Sequence, residues 1–317
     1  DIDTLELSVS RLEGTTISGI EFTELLNNSA NRVDAAQIAN LGTITNAGNT
    51  SGSAVASNIT ITNGNGQTAD LSGLSLQGIE RISVTTSGLA AGDSLTVDLS
   101  GATFADTSFA IFTGSSANET VTGSTSNDSI VGSNGDDSIS GGDGNDTLDG
   151  GSGIDTLQGG DGDDLLIDSN GGSLGSVVQG GAGNDFIDLS NAFQNGTIDG
   201  GADTDTLELN NSNLEGTTIS GIEFTELFNN GGIRVDAAQV ANLGTITNAG
   251  NTANSTTASN LILTNGAGQV VNLSGLSLQG PERLLLSTTG LTSTTGIEID
   301  LSGASFAGTS FVDYNGT

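Results

Sequence analysis

Cysteine, histidine, lysine, methionine and tryptophan are absent from the 317-residue sequence, and proline and tyrosine occur once each, as Pro281 and Tyr314. Without cysteine or histidine there is no thiol nucleophile, no Ser-His-Asp triad and no ordinary zinc or haem site. Disulfide stapling is excluded as well. The 38 acidic side chains face 5 basic ones, all arginine, for a net charge of -33. That balance argues against nucleic acid or an anionic membrane as a partner, because both demand a basic patch. No apolar run reaches the roughly 18 residues of a membrane span, so no membrane insertion is expected. The stretch Asp1–Leu7 has neither the basic start nor the apolar core of a signal peptide.

High charge and few aromatics would suit a disordered chain. The apolar residues are periodic, however, and a single proline in 317 residues is not the composition of a flexible linker. Glycine (49 residues) recurs with Asp, Asn, Ser and Thr between short Val/Ile/Leu/Thr runs, the pattern of many short strands. A hard divalent cation held by oxygen ligands would neutralise the acid excess.

The chain repeats itself on two scales. Residues 3–115 recur without a gap as 205–317; Gly19-Ile20-Glu21-Phe22-Thr23-Glu24-Leu25, for instance, matches Gly221 to Leu227. The organisation expected is a block over 1–115, an insert over 116–204 and a second block over 205–317. Within the first block, Thr15–Ser18, Ile20–Leu26, Asn58–Thr62, Ile79–Thr85, Ser94–Leu99 and Ser108–Phe112 read as strands. One segment reads as a short helix, with Asp34 as N-cap, Gln37 completing a capping box, Val33 and Ile38 as a staple and Gly42 as terminator. Asp236, Gln239 and Gly244 repeat it. The fold class expected is all-β, with each block a parallel β-solenoid carrying one short helix; a β-sandwich is the alternative.

The insert reads in nines from Gly114: GSSANETVT, GSTSNDSIV, GSNGDDSIS, GGDGNDTLD, GGSGIDTLQ and GGDGDDLLI. After a spacer come GGAGNDFID from Gly180, a second spacer and GGADTDTLE from Gly200. This resembles the Gly-Gly-x-Gly-x-Asp-x-apolar-x repeat of RTX, or haemolysin-type calcium-binding, proteins. The resemblance implies a calcium-binding parallel β-roll in which six residues turn, three form a strand and two nonapeptides complete a coil.

It further implies Ca2+ as the cofactor. The expected ligands are the sixth-position carboxylates Asp128, Asp137, Asp146, Asp155, Asp164, Asp185 and Asp205, with Asp143 and Asp161 from the third position. Carbonyls around Gly141, Gly144, Gly159, Gly162, Gly180 and Gly183 complete the set. Glycine at positions one, two and four suits tight turns with φ > 0 and close backbone approach. The eighth-position residues should point inward: Val121, Ile130, Ile139, Leu148, Leu157 and Leu166, then Val178, Ile187, Ile198 and Leu207. Residues 116–204 hold sixteen acidic side chains and no basic one, so the metal-free insert should repel itself and remain largely disordered.

Successive nonapeptides turn on alternate sides. Asp128, Asp146, Asp164, Asp185 and Asp205 should therefore share one edge, and Glu119, Asp137 and Asp155 the other, which loses the motif in the spacers 168–179 and 189–199. The expectation is a nearly continuous ion ladder on the first edge and one or two ions on the second. Asp149, Asp168, Asp188 and Asp199 read as solvated. Glu21 and Glu24, repeated as Glu223 and Glu226, lie on opposite faces of a regular strand and read as solvated rather than as an acid/base pair. Arg32 near Asp34 and Arg81 beside Glu80 read as surface ion pairs. Phe22, Phe104 and Phe109, repeated as Phe224, Phe306 and Phe311, read as core.

No enzyme is expected. Polysaccharide-cleaving β-helix enzymes generally need a cationic or phenolic base, and Tyr314 stands where the first copy has Phe112. Both ends of the sequence fall mid-pattern, as for a segment of a longer array with a unit of 202 residues. The function expected is a calcium-stabilised structural segment of an extracellular bacterial filament or surface layer. The stalk of a giant adhesin and the secretion module of an enzyme are the alternatives. Expected partners are other copies of the chain and a cell-surface polysaccharide, and the resemblance implies export by type I secretion.

Overall fold

The computed structural model describes residues 3–7, 10–25, 30–45, 57–76, 81–104, 109–168, 173–228, 232–247, 259–264, 270–278, 283–288, 297–306 and 311–315. Strand pairing among them is parallel throughout. Parallel neighbours cannot be joined by a hairpin, so each strand meets its partner one full coil later. The fold is an all-β parallel β-solenoid, and the sandwich alternative falls. It divides into two compact units, Asp1–Leu165 and Leu166–Thr317. Among the described residues no helix is long and apolar enough to cross a membrane.

The first unit begins three-sided. One sheet contains Thr4–Leu7, Phe22–Leu25, Thr43–Thr45, Leu74–Leu76 and Thr103–Phe104. A second runs through Ala30–Asp34, Ser57–Thr62, Arg81–Ser87, Phe109–Thr113, Ser129–Val131 and Thr147–Asp149. A third contains Gln67–Asp70, Ser94–Asp98, Asn118–Thr122, Ser138–Asp143 and Thr156–Asp161. The first sheet ends at Thr103–Phe104, and the coil is two-sided from there. Its period shortens accordingly: Val33 pairs with Ile61, but Ile130 pairs with Leu148 and Ile139 with Leu157, a period of 18 residues.

The second unit shows the reverse change. Phe186–Gln194 pairs along Thr206–Leu214. On its other side Thr206–Leu214 forks: Thr206–Asn210 meets Phe224–Phe228, whereas Asn213 and Leu214 meet Arg234 and Val235. Asn211, between the two stretches, has φ 56°, a left-handed conformation that Asn tolerates better than most residues. One sheet becomes two at this corner. Beyond it run Gly232–Asp236, Ser259–Thr264, Arg283–Thr288 and Phe311–Asn315 in parallel register.

Inward alternation builds the core. All ten eighth-position residues, from Val121 to Leu207, are at most 1% exposed. In the first block Val33, Ile59, Ile61, Ile82, Val84, Val97 and Phe112 fill the same role. Strand assignments hold with small shifts, as Phe22–Leu25, Ser57–Thr62, Arg81–Ser87, Ser94–Asp98 and Phe109–Thr113. Leu26, Ile79, Glu80 and Ser108 lie outside the described residues. Thr15–Ser18 is not a strand. Its counterpart Thr218–Ser220 is one, laid against Thr197–Asp199.

Both blocks have the short helix, but not its expected cap. The first is α over Ala35–Ile38 and continues as a 3-10 turn over Ala39–Leu41; the second is a 3-10 helix over Ala237–Leu243. Asp34 makes no side-chain cap bond. Its carboxylate instead accepts from Gly14 N–H, Thr62 Oγ1 and Asn63 Nδ2. Gln37 Oε1 likewise accepts from Ile17 N–H rather than closing a capping box. Asp236 and Gln239 repeat both reaches, to Gly216 and Ile219. These polar side chains tie one coil to the next.

Three further expectations need correction. Asp168, expected to be solvated, is buried at 4% exposure. Arg32 pairs with Glu13 at 2.6 Å, not with Asp34, and Arg234 pairs with the matching Glu215 at 3.7 Å. Glu80 and the Arg81 side chain lie outside what is described. Phe224 and Phe306 are 41% and 45% exposed, so these positions are not core. The side chains of Phe22, Phe109 and Phe311 lie outside the described set.

Candidate metal centre

The nonapeptide turns use their glycines in two ways. At positions two and four the backbone is left-handed: φ is 115° at Gly142, 112° at Gly144 and 132° at Gly162. Only glycine adopts such angles without strain. Position one has no positive φ. A Cβ on Gly141 would instead strike Asp146 Oδ2 and the carbonyl oxygen of Gly159, one coil on. Close approach, rather than a left-handed angle, requires glycine there. Gly159 is buried and its carbonyl faces Gly141 in this way. On Gly180 a Cβ would meet Asp185 Oδ2 and the Gly200 carbonyl.

The sixth-position carboxylates are all buried: Glu119, Asp128, Asp137, Asp146, Asp155, Asp164, Asp185 and Asp205. They form ladders along the coil axis. Asp128 N–H donates to Asp146 Oδ1 and Asp146 N–H to Asp164 Oδ1, each at 2.7 Å. On the other edge Glu119 N–H donates to Asp137 Oδ1 and Asp137 N–H to Asp155 Oδ1. In the second unit Asp185 N–H donates to Asp205 Oδ1. The 18-residue step places Asp128, Asp146 and Asp164 in one column and Glu119, Asp137 and Asp155 in another. Asp143 and Asp161 stand in register with each other but exposed, on the rim. Gly144 and Gly162 also stack, with Gly162 closing on the Gly144 carbonyl. Gly183 has φ 125° in the equivalent turn position.

The Oδ1 atoms of Asp137, Asp146, Asp155, Asp164 and Asp205 are thereby used, and Glu119 Oε1 accepts instead from Ser115 and Thr86. The second oxygen is the informative one. Glu119 Oε2 and the Oδ2 atoms of Asp137, Asp146 and Asp205 are buried without a hydrogen-bond partner. A buried ionised oxygen with no donor is costly. Burial is the main force on the aspartates of the two columns: it pushes Asp137 and Asp146 up to about 8, and Asp155 and Asp164 up to about 6, from 3.8. Repulsion between successive rungs adds to it. Asp128, in the first turn of its column, has another solution: Ser124 donates its N–H and its hydroxyl to Oδ2.

Position five has a ladder that the consensus leaves as x. Asn127 Oδ1 accepts from Asn145 N–H, and Asn145 Oδ1 from Asp163 N–H. On the other edge Asn118 serves Asp136 and Asp136 serves Ile154. These bonds run opposite in sense to those of position six. Glu21 and Glu223 are exposed, as expected, and each also accepts a backbone N–H: Asp3 N–H donates to Glu21 Oε2 and Asp205 N–H to Glu223 Oε2. Both continue the pattern, and the repeated Asp-to-Glu spacing of 18 residues was its sequence signal.

Among the described residues no three Asp or Glu side chains converge into a ready-made metal cluster. The donor set here is mixed: one orphan carboxylate oxygen meets one backbone carbonyl from the next coil, over a glycine that leaves room between them. All donors are oxygen and no basic side chain is present in 116–204. That chemistry fits a hard cation such as Ca2+. Glu119, Asp137, Asp146 and Asp205, with the first-glycine carbonyls of the following coils, would hold it. Bound there, it would neutralise the buried charge and link successive turns.

Comparison with known proteins agrees. Residues 113–148, 149–172 and 170–191 match the model of the RTX calcium-binding nonapeptide repeat. This part of the chain is an RTX repeat region, and its nonapeptides are calcium-binding motifs. No curated protein and no solved structure matches the chain.

Proposed function

We propose that this chain is a calcium-stiffened structural segment of an extracellular bacterial filament or surface layer, in which it associates with further copies of itself. The observation that carries the reading is the column of buried carboxylates, each with one oxygen committed to the neighbouring coil and, at Asp137 and Asp146, one left without a donor. Where protons do not neutralise such a column a cation would, and calcium is plentiful outside cells and scarce inside them. Folding would therefore follow export, and the type I route is the one proposed. A repetitive solenoid with tied coils suits a load-bearing role, and the lack of Lys and His leaves no cationic general base. Contact with a cell-surface polysaccharide is part of the same proposal. Electron microscopy of the native material, with calcium and with chelator, tests it. Regular fibres or sheets that soften or dissociate in chelator are expected; isolated flexible stalks, or fibres indifferent to chelator, would overturn it.

A further inference from the structure

The matched nonapeptides end at 191, and the last glycine-rich turn is Gly200–Asp205. The next coil enters the second block with the sequence Ser220-Gly221-Ile222-Glu223, which has no nonapeptide motif. Three observations at this seam belong together. Asp205 is 0% exposed, and its Oδ2 is buried without a hydrogen-bond partner. Gly200 is approached by Asp205 Oδ2, 2.6 Å from an ideal Cβ position, and by the carbonyl oxygen of Gly221, so that both oxygens close on one point. Glu223 Oε2 accepts Asp205 N–H at 2.9 Å, as Asp146 Oδ1 accepts Asp128 N–H in the repeats.

The seam thus reproduces the nonapeptide cradle with parts borrowed from the block. Gly221 supplies the carbonyl that a first-position glycine otherwise supplies, and Glu223, although exposed, accepts the Asp205 N–H as a sixth-position aspartate does. Asp199 and Asp203 add negative charge around Asp205, and Asp199 Oδ1 lies 2.9 Å from the position a Cβ on Gly221 would occupy. The donors are again all oxygen, which selects a hard divalent cation.

We infer that Asp205, Glu223 and the Gly221 carbonyl form a terminal calcium site that takes two of its ligands from beyond the nonapeptides and joins the last of them to the coil that follows. The inference rests on the reading that the repeats bind calcium. The site makes order in the first coil of the block depend on the same ion that orders the roll. Glu223 lies one residue before Phe224–Phe228, at the end of that strand that pairs with Thr206, so an ion there fixes where the first strand after the roll begins.

The test counts calcium on the full chain by native mass spectrometry and follows amide hydrogen exchange over 218–228 with and without calcium. Glu223→Gln keeps an acceptor for Asp205 N–H and removes the charge, so a purely structural role would leave both readouts unchanged. The expected result is the loss of one bound ion and of the calcium-dependent protection over 218–228. Asp205→Asn should lose the same ion, and Glu226→Gln, the next acid on that strand, should lose none. Retention of the full ion count in Glu223→Gln or Asp205→Asn, or an equal loss in Glu226→Gln, overturns the terminal site while leaving the repeats' calcium binding intact. A wild-type chain that binds no calcium overturns the parent reading and this one with it.

Discussion

Asp34 in the first block and Asp146 in the roll solve the same problem in opposite ways. Each is a carboxylate that links one coil to another. Asp34 accepts from Gly14 N–H, Thr62 and Asn63, and these donors hold its carboxyl below the usual value. Asp146 accepts from Asp128 N–H, keeps a buried Oδ2 without a donor, and is pushed up to about 8 by that burial. The block supplies donors from its own long coils. The roll, with coils of 18 residues and no basic side chain, supplies them to Asp128 through Ser124 but not to the Oδ2 of Asp137 or Asp146. Short coils buy a regular column at the cost of self-sufficiency, and an external cation makes up the difference.

Calcium removal should break the comparison most sharply. In chelator, amide exchange should accelerate across 116–204 while the core strands of the blocks, such as Ser57–Thr62 and Arg81–Ser87, stay protected. A site filled at a hundred times its Kd adds about 2.7 kcal/mol, so several sites dominate the roll's stability. Equal loss of protection in both regions, or none in the roll, would contradict the division of labour.

Asp146→Ala and Asp34→Ala form the next contrast. The first should shift the calcium midpoint for folding by about ten-fold or more, since breaking a buried charged contact costs roughly 1.5–3 kcal/mol. It should leave the chelated protein unchanged. The second should cost about 1–2 kcal/mol with or without calcium, by the loss of three hydrogen bonds. Asp188→Ala, on the outer strand face, should stay within about 0.5 kcal/mol in titrations of either kind.

Acidity should mimic calcium in part. Asp137 and Asp146 are raised to about 8 and Asp155 and Asp164 to about 6 in the folded roll, against 3.8 for an unperturbed carboxyl. The folded form therefore holds protons that the unfolded chain releases. Stability from this source is complete below pH 4 and is lost as pH rises to about 8. Chelated protein taken from pH 8 to pH 4 should gain β circular dichroism; a loss on acidification would contradict it. With calcium present the trend reverses, because protons compete for the same oxygens. A modest effect is expected for Asn145→Ala, which removes the acceptor for Asp163 N–H and should cost about 1 kcal/mol in thermal unfolding with calcium.

What the sequence reveals and what it hides follow one physical line. The nonapeptide states its period directly, so the inward series from Val121 to Leu207 and the placing of Asp128, Asp146 and Asp164 in one column can be read without a structure. The blocks have no fixed period. Their coils differ in length, as Ile59 pairing with Val84 and Ile44 with Leu74 shows. Which residue faces which is therefore hidden. Asp34 and Gln37 look like a local cap because their spacing is local, but their partners Gly14 and Ile17 lie 20 residues back. Glu21 and Glu223 are exposed as their sequence suggests, but the N–H groups from which they accept lie in the preceding coil and are hidden for the same reason. The position-five ladder escaped because a consensus written as x discards the Asn and Asp that occupy it.

The two ladders of the roll also give it a grammar of direction. At position six a turn donates its N–H to the acid 18 residues later; at position five it donates to the side chain 18 residues earlier. No turn supplies the acceptor for its own donor at either place. A single turn cut from the column has nothing to hold it, and one turn lost from the middle leaves an unmet donor above and an idle acceptor below. Order in such a chain spreads between neighbours, as spins align in a one-dimensional magnet, and the cost of disorder is concentrated at the boundaries. Lengthening the run of turns strengthens each of them without changing a residue, whereas a single faulty rung divides one long domain of order into two weaker ones.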